Sequence, residues 1–287
     1  MIQTFDHFDL SSIAVSGQCF RIHPPEDNNW TVISGSHVLR VRSLAIDDSG
    51  TGTYDFDCDP TEFSQIWVPY FDLETDYSVF TSMIDPEDTY LTEAAHYGAG
   101  LRILHQELWE VIVSFIMSQR KSIPVISSNV EKLCRNFGTE IEPEVFTFPS
   151  HEALADASTE DFMLCGLGYR ANYLHMVCRL ISEGDWSPDD ITSPDLTDEQ
   201  IIDSLKQLPG IGLKVANCIS LFGLHRLSAF PRDTWINKIE EEHYDGRFPE
   251  ERYSECAGVM QQYMFFYERK RKKAAVSRPR SKSSKFL

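Results

Sequence analysis

A lysine and an aspartate stand 19 residues apart, each just after a turn signal. Lys214 follows Leu208-Pro209-Gly210-Ile211-Gly212-Leu213 and opens the apolar run Val215, Ala216, Cys218, Ile219, Leu221 and Phe222. Asp233 closes Phe230-Pro231-Arg232-Asp233. A lysine on such a helix can lay its stem along apolar surface and keep its charge in water. Partly desolvated beside a helix N-terminus, it can instead be a nucleophilic amine that forms a Schiff base. Asp233 is a good N-cap, worth about 1 kcal/mol. The same carboxylate could stabilise positive charge at a sugar carbon as a base departs, or polarise the attacking amine. The glycine pair can be an ordinary helix–helix turn, or a turn whose outward N–H groups bind a phosphate without any positive side chain. Taken singly, each residue favours the plainer use.

The elements that must carry these residues are legible in outline. Residues 1–94 read as an antiparallel sheet domain. Trp30 to Arg42 holds two β-rich runs around Ser34-Gly35-Ser36, Tyr54 to Cys58 alternates with period two, and residues 47–52 are a turn. Residues 95–268 read as helical. The segment from Glu107 to Met117 is apolar nearly all round, which predicts a buried helix. Gly166-Leu167-Gly168-Tyr169-Arg170 is a glycine turn, and Thr197-Asp198-Glu199-Gln200 is a capping box. A last helix is expected over 250–268. The remaining residues, 269–287, are expected to be a basic, disordered tail.

Bulk composition narrows the partners. No run of 18 apolar residues exists, so no membrane span is expected. The N-terminus lacks a secretory pattern, which predicts a cytoplasmic location. The seven cysteines are scattered and none is spaced Cys-x-x-Cys, which disfavours a disulfide scaffold, a zinc site or an iron–sulfur cluster. The net charge is −18. Nine of the 26 Lys and Arg, and none of the 44 Asp and Glu, lie in 269–287, which leaves −27 on residues 1–268. So acidic a body repels DNA at long range, so any DNA contact must be local.

Leu-Pro-Gly-Ile-Gly-Leu-Lys-Val-Ala-Asn-Cys followed by Phe-Pro-Arg-Asp resembles the helix–hairpin–helix, Gly/Pro–Asp superfamily of DNA glycosylases. Ser16-Gly17-Gln18-Cys19-Phe20-Arg21 and Gly-Leu-Gly-Tyr-Arg-Ala-Asn-Tyr from Gly166 narrow the resemblance to the 8-oxoguanine DNA glycosylases, over residues 10–267. The resemblance implies an α+β fold: an antiparallel sheet domain followed by an all-helical, two-subdomain body with the site in its cleft. It implies that Lys214 forms the imine and Asp233 supports charge development. Gly17 would offer its carbonyl to the N7 hydrogen that 8-oxoguanine has and guanine lacks. Phe265 would stack on the flipped base, Gln261 would bond its Watson–Crick edge, and Cys218 would face its other side. Such a pocket suits a planar purine taken out of the stack. Arg170 would read the cytosine opposite, with Tyr169 as the wedge. Gly210 and Gly212 would bind a DNA phosphate, often in this superfamily with a structural monovalent cation.

Three positions depart from the pattern of the family's eukaryotic or better-known members. Arg120 replaces an asparagine near the orphaned base, Val125 replaces a second cytosine-reading arginine, and Trp235 replaces a histidine near a DNA phosphate. A weakened preference for cytosine opposite the lesion follows. The expected protein is a bifunctional 8-oxoguanine glycosylase and abasic-site lyase, monomeric, acting on duplex DNA without an organic cofactor. A glycosylase for another lesion and a non-catalytic helix–hairpin–helix scaffold are the alternatives; Lys214, Asp233, Cys218 and Gln261 together weigh against the scaffold.

Overall fold

The computed structural model describes residues 1–26 and 28–277, with main chain only for 273–277. Five strands form one antiparallel sheet: β1 (Ile2–Phe5), β2 (Ile22–Glu26), β3 (Asn29–Ser34), β4 (His37–Ile46) and β5 (Gly52–Phe56), in the order β1-β5-β4-β3-β2. The predicted hairpin is β3–β4, with Ser34 opposite His37 across a two-residue turn. Alternation puts Val32, Leu39, Val41, Tyr54 and Phe56 on the buried face, against Phe8, Trp67 and Phe71.

The sheet ends earlier than the sequence suggested. Residues 60–97 are short helices rather than strands. Asp59, Asp76 and Asp88 each accept a hydrogen bond from a first-turn N–H, so local capping starts these helices although Trp67, Val68, Tyr70 and Phe71 favour strands. Buried Arg102 then staples the N-terminal segment to them. Its guanidinium donates to the carbonyls of Asp6, His7, Asp72 and Thr75.

The body is built on the Leu108–Ser118 helix, which is buried from Glu110 to Met117. It packs along the Leu213–Gly223 helix, where Phe115 stacks on Phe222 at 5.5 Å. A side chain at Gly223 would press on Leu108 and Val111, so the close approach of the two helices depends on that glycine. The Thr197 capping box opens the Asp198–Leu205 helix as predicted.

The last helix, Ala257–Ser277, corrects the expected tail. Residues 269–277 are helical; residues 278–287 lie outside the described residues. The cause is an i,i+4 ladder: Arg269 lies over Phe265, Lys270 over Phe266 and Arg271 over Tyr267, at 5.1–5.7 Å from the ring centroids. Lys272 adds an ion pair to Glu268 at 3.3 Å. Such contacts stabilise a helix by a few tenths of a kcal/mol to about 1 kcal/mol each.

Candidate active site

Lys214 is the second residue of the Leu213–Gly223 helix, whose N-cap is Gly212. Gly212 supplies no side-chain cap, so the first-turn N–H groups face outward. Gly210 makes the turn possible, with φ +84°; a side chain there would also strike the Tyr173 ring. Its carbonyl accepts from the Gln119 amide at 2.9 Å, which fixes the hairpin to the end of the Leu108–Ser118 helix.

The Lys214 amine lies 5.5 Å from the Phe115 ring centroid and beside the Cys218 thiol, one turn along its own helix. Burial pushes the Cys218 thiol up despite the lysine, so it stays neutral and does not compete as a nucleophile. Asp233 caps the Thr234–His243 helix, and its Oδ1 accepts from the N–H groups of Trp235 and Ile236 at 2.8 and 2.9 Å. Arg232 holds the preceding loop through Glu240 and Glu250.

Lys214 and Asp233 open onto one cavity of about 500 Å³, also lined by Gly17, Trp235, Phe265 and Phe115. Gly17 has φ +91°, and a Cβ there would sit 2.9 Å from Ile123 Cδ1 and 3.7 Å from Phe265 Cε1. Gln18 fixes this turn: its amide donates to the Arg102 carbonyl at 2.8 Å and accepts from the Leu104 N–H at 2.9 Å. The sequence-predicted residues Lys214, Asp233, Gly17, Phe265 and Trp235 thus meet at one opening.

Gln261 is buried one turn before Phe265 and does not line the cavity. Its amide donates to the Pro231 carbonyl at 3.1 Å and accepts from Gln262 at 2.9 Å. Cys218 lies behind Lys214 rather than on the cavity wall. Tyr169 is 49% exposed, with the Arg170 guanidinium over its ring at 4.3 Å. Arg170 itself is buried and spends donors on the carbonyls of Leu167 and Gln119. Arg120 is exposed on the loop after Gln119, with φ +54°, a conformation uncommon for residues other than glycine.

Sequence reasoning missed the hub joining these pieces. Lys121 donates to the Gly166 carbonyl at 2.7 Å, and burial pulls its pKa down. With Arg170 to Gln119 and Gln119 to Gly210, it ties the 118–122 loop to both the Gly166–Arg170 turn and the hairpin. Phe20, Phe115 and Arg269 also line the cavity unpredicted. The signal for Arg269 was its i,i+4 spacing from Phe265.

This constellation of hairpin, lysine and helix-capping aspartate agrees with the resemblance to the helix–hairpin–helix base-excision proteins. Residues 113–254 match the model of the HhH-GPD superfamily of base excision DNA repair proteins. Residues 2–112 match that of the 8-oxoguanine DNA glycosylase N-terminal domain. The chain belongs to the 8-oxoguanine DNA glycosylase family, and the expected fold class and DNA glycosylase/lyase class are borne out.

A Clostridium acetobutylicum 8-oxoguanine glycosylase/lyase, solved with double-stranded DNA containing cytosine opposite 8-oxoguanine, superposes with a TM-score of 0.85 at 30% identity, covering 95% of this chain and 98% of that one. A probable N-glycosylase/DNA lyase of Methanothermobacter thermautotrophicus is 30% identical, over 70% of this chain and 73% of its own. An Arabidopsis thaliana N-glycosylase/DNA lyase is 26% identical, over 88% and 75%. No helix among the described residues is long and apolar enough to cross a membrane.

Proposed function

We propose that the protein excises 8-oxoguanine from duplex DNA and then cleaves the strand 3′ to the abasic site, with Lys214 as nucleophile and Asp233 as its electrostatic partner. The observation that carries this reading is that a lysine amine and a helix-capping carboxylate open onto the same cavity as Gly17 and Phe265.

The flipped base enters against Phe265, with the Gly17 carbonyl accepting its N7–H. The Lys214 amine attacks C1′ as the bond to N9 breaks, and the base leaves with the electron pair. Asp233 has its Oδ1 held by two N–H groups, so the carboxylate is pre-oriented and meets the positive charge developing at C1′ without reorganising. Opening of the sugar gives an imine between Lys214 and C1′. Loss of a C2′ proton to a general base, for which the departed base is one candidate, expels the 3′ phosphate. Water then releases the lysine. Every step uses groups of this chain, the DNA or water, so no organic cofactor is required.

The hairpin N–H groups, the 118–122 loop with Arg120 and the Gly166–Arg170 turn with Tyr169 grip the duplex around the lesion, and the protein acts as a monomer on DNA in the cytoplasm. A monovalent cation at the hairpin would be held by main-chain carbonyls, because no acidic side chain lies in 208–217.

Borohydride trapping tests the assignment. The wild type is expected to give a covalent adduct with a duplex carrying 8-oxoguanine opposite cytosine, and Lys214→Gln is expected to bind that duplex without trapping. An adduct that persists in Lys214→Gln would reject the lysine; trapping on abasic DNA alone would reject the lesion.

A further inference from the structure

Arg269 belongs to no part of the reaction described so far, yet it lines the cavity with Lys214, Asp233 and Phe265. Its guanidinium does three things at once. It donates through Nη1 to the Val15 carbonyl at 3.1 Å and, more weakly, to the Ser16 carbonyl at 3.5 Å. It lies over the Phe265 ring, 5.1 Å from the centroid. It also sits within the electrostatic reach of Asp233.

Val15 and Ser16 immediately precede Gly17, so Arg269 joins the two walls that would hold a flipped base: the Gly17 turn and the Phe265 ring. Those walls belong to elements some 250 residues apart in sequence, 15–17 and the Ala257–Ser277 helix. Gln18 fixes the far side of the turn to residues 102–106 and not to Phe265.

We infer that Arg269 is a positioning and specificity-determining residue, which sets the width of the slot between the Gly17 carbonyl and the Phe265 ring. A planar guanidinium suits this task, because one face can lie on a ring while its edge bonds carbonyls. The inference rests on the proposed excision of 8-oxoguanine and concerns the base, not the backbone. An abasic site has no base to hold, so its cleavage does not need the slot.

The test is single-turnover kinetics of the full chain with Arg269→Met and Arg269→Lys, on a duplex bearing 8-oxoguanine and on one bearing an abasic site. Met keeps the apolar length on Phe265 and removes the donors. Arg269→Met is expected to lower the saturating excision rate by about tenfold or more, while abasic-site cleavage and the half-saturating protein concentration stay within about threefold. Arg269→Lys should recover part of the excision rate. An unchanged excision rate would overturn the inference, as would equal loss on both duplexes. A loss confined to half-saturation and to the salt dependence of binding would assign Arg269 to a phosphate instead. Wild type that cleaves the abasic duplex but leaves 8-oxoguanine in place would overturn the excision reading and this inference with it, which separates the two failures.

Discussion

Gly17→Ala is the most direct test of the pocket, because the structure sets the size of its effect. Gly17 has φ +91°, and a Cβ there would lie 2.9 Å from Ile123 Cδ1 and 3.7 Å from Phe265 Cε1. Holding alanine in that conformation costs about 1–3 kcal/mol. The Ile123 contact is with the tip of a flexible side chain, so it adds little once Ile123 turns. The chain cannot relieve the backbone cost freely, because Gln18 is bonded to residues 102–104. Relief therefore comes from rotation at residue 17 itself, which swings the carbonyl that meets the lesion. A misaligned buried acceptor loses roughly 1–3 kcal/mol. Excision of 8-oxoguanine should then fall by about 10- to 100-fold, taking about 1.4 kcal/mol per decade. Cleavage of an abasic duplex should change by less than about threefold, since no base meets residue 17. Parallel single-turnover measurements on the two duplexes decide the matter, with thermal unfolding as the control for folding. Equal losses on both, or wild-type excision, would refute the assigned role of the Gly17 carbonyl.

Three further outcomes are expected. Asp233→Asn keeps an N-cap acceptor but removes the charge, so excision should collapse with melting almost unchanged; Asp233→Ala should also lose about 1 kcal/mol of stability, read by denaturant unfolding. Glu110 is pushed up to about 7 by burial, against the partial pull of Arg21. Its pKa is higher folded than unfolded, so the stability tied to its neutral form is complete near pH 4 and lost as pH rises through 7. The loss is about 3 kcal/mol for a shift of that size. Glu110→Gln should accordingly gain stability over wild type at pH 8 and not at pH 5, and parallel pH profiles would refute it. Last, Val125 is exposed at the position where the family resemblance would place a second cytosine-reading arginine, so the preference for C over A, G or T opposite the lesion should be weakened. A large, undiminished preference for C in competition kinetics would reject this.

What was legible in the sequence was local. Lys214, Asp233 and the hairpin were found because Pro-Gly-x-Gly, an N-capping aspartate and an apolar helix are short-range signals, and the structure brings both residues to one cavity. Phe115 was seen only as a buried helix residue, because nothing in an apolar run says which side chain a lysine 99 positions later will lie over. The 60–97 segment was misread because its aromatic and β-branched residues carry strand propensity, while burial of Trp67 and Phe71 against the sheet allows helices. Arg269 was hidden for a different reason. Composition alone made 269–287 a solvated tail, although a block of three aromatics followed at i,i+4 by a block of three cations was already in the sequence.

That misreading bears on the charge problem. A body carrying −27 over residues 1–268 gains nothing from long-range attraction to DNA, so whatever favours binding must act within a Debye length of the contact. The structure concentrates its short-range donors around one opening. Lys214 and Lys121 line the cavity, and Lys272 lies over Trp235 at 4.4 Å. The uncapped N–H groups at Leu213 face outward close by. Trp235, which lines the same cavity, has a lysine from the last helix resting on its ring. The first basic residues after 268 therefore belong to the walls of the cavity, and they hold cationic groups at its opening although the body as a whole is acidic.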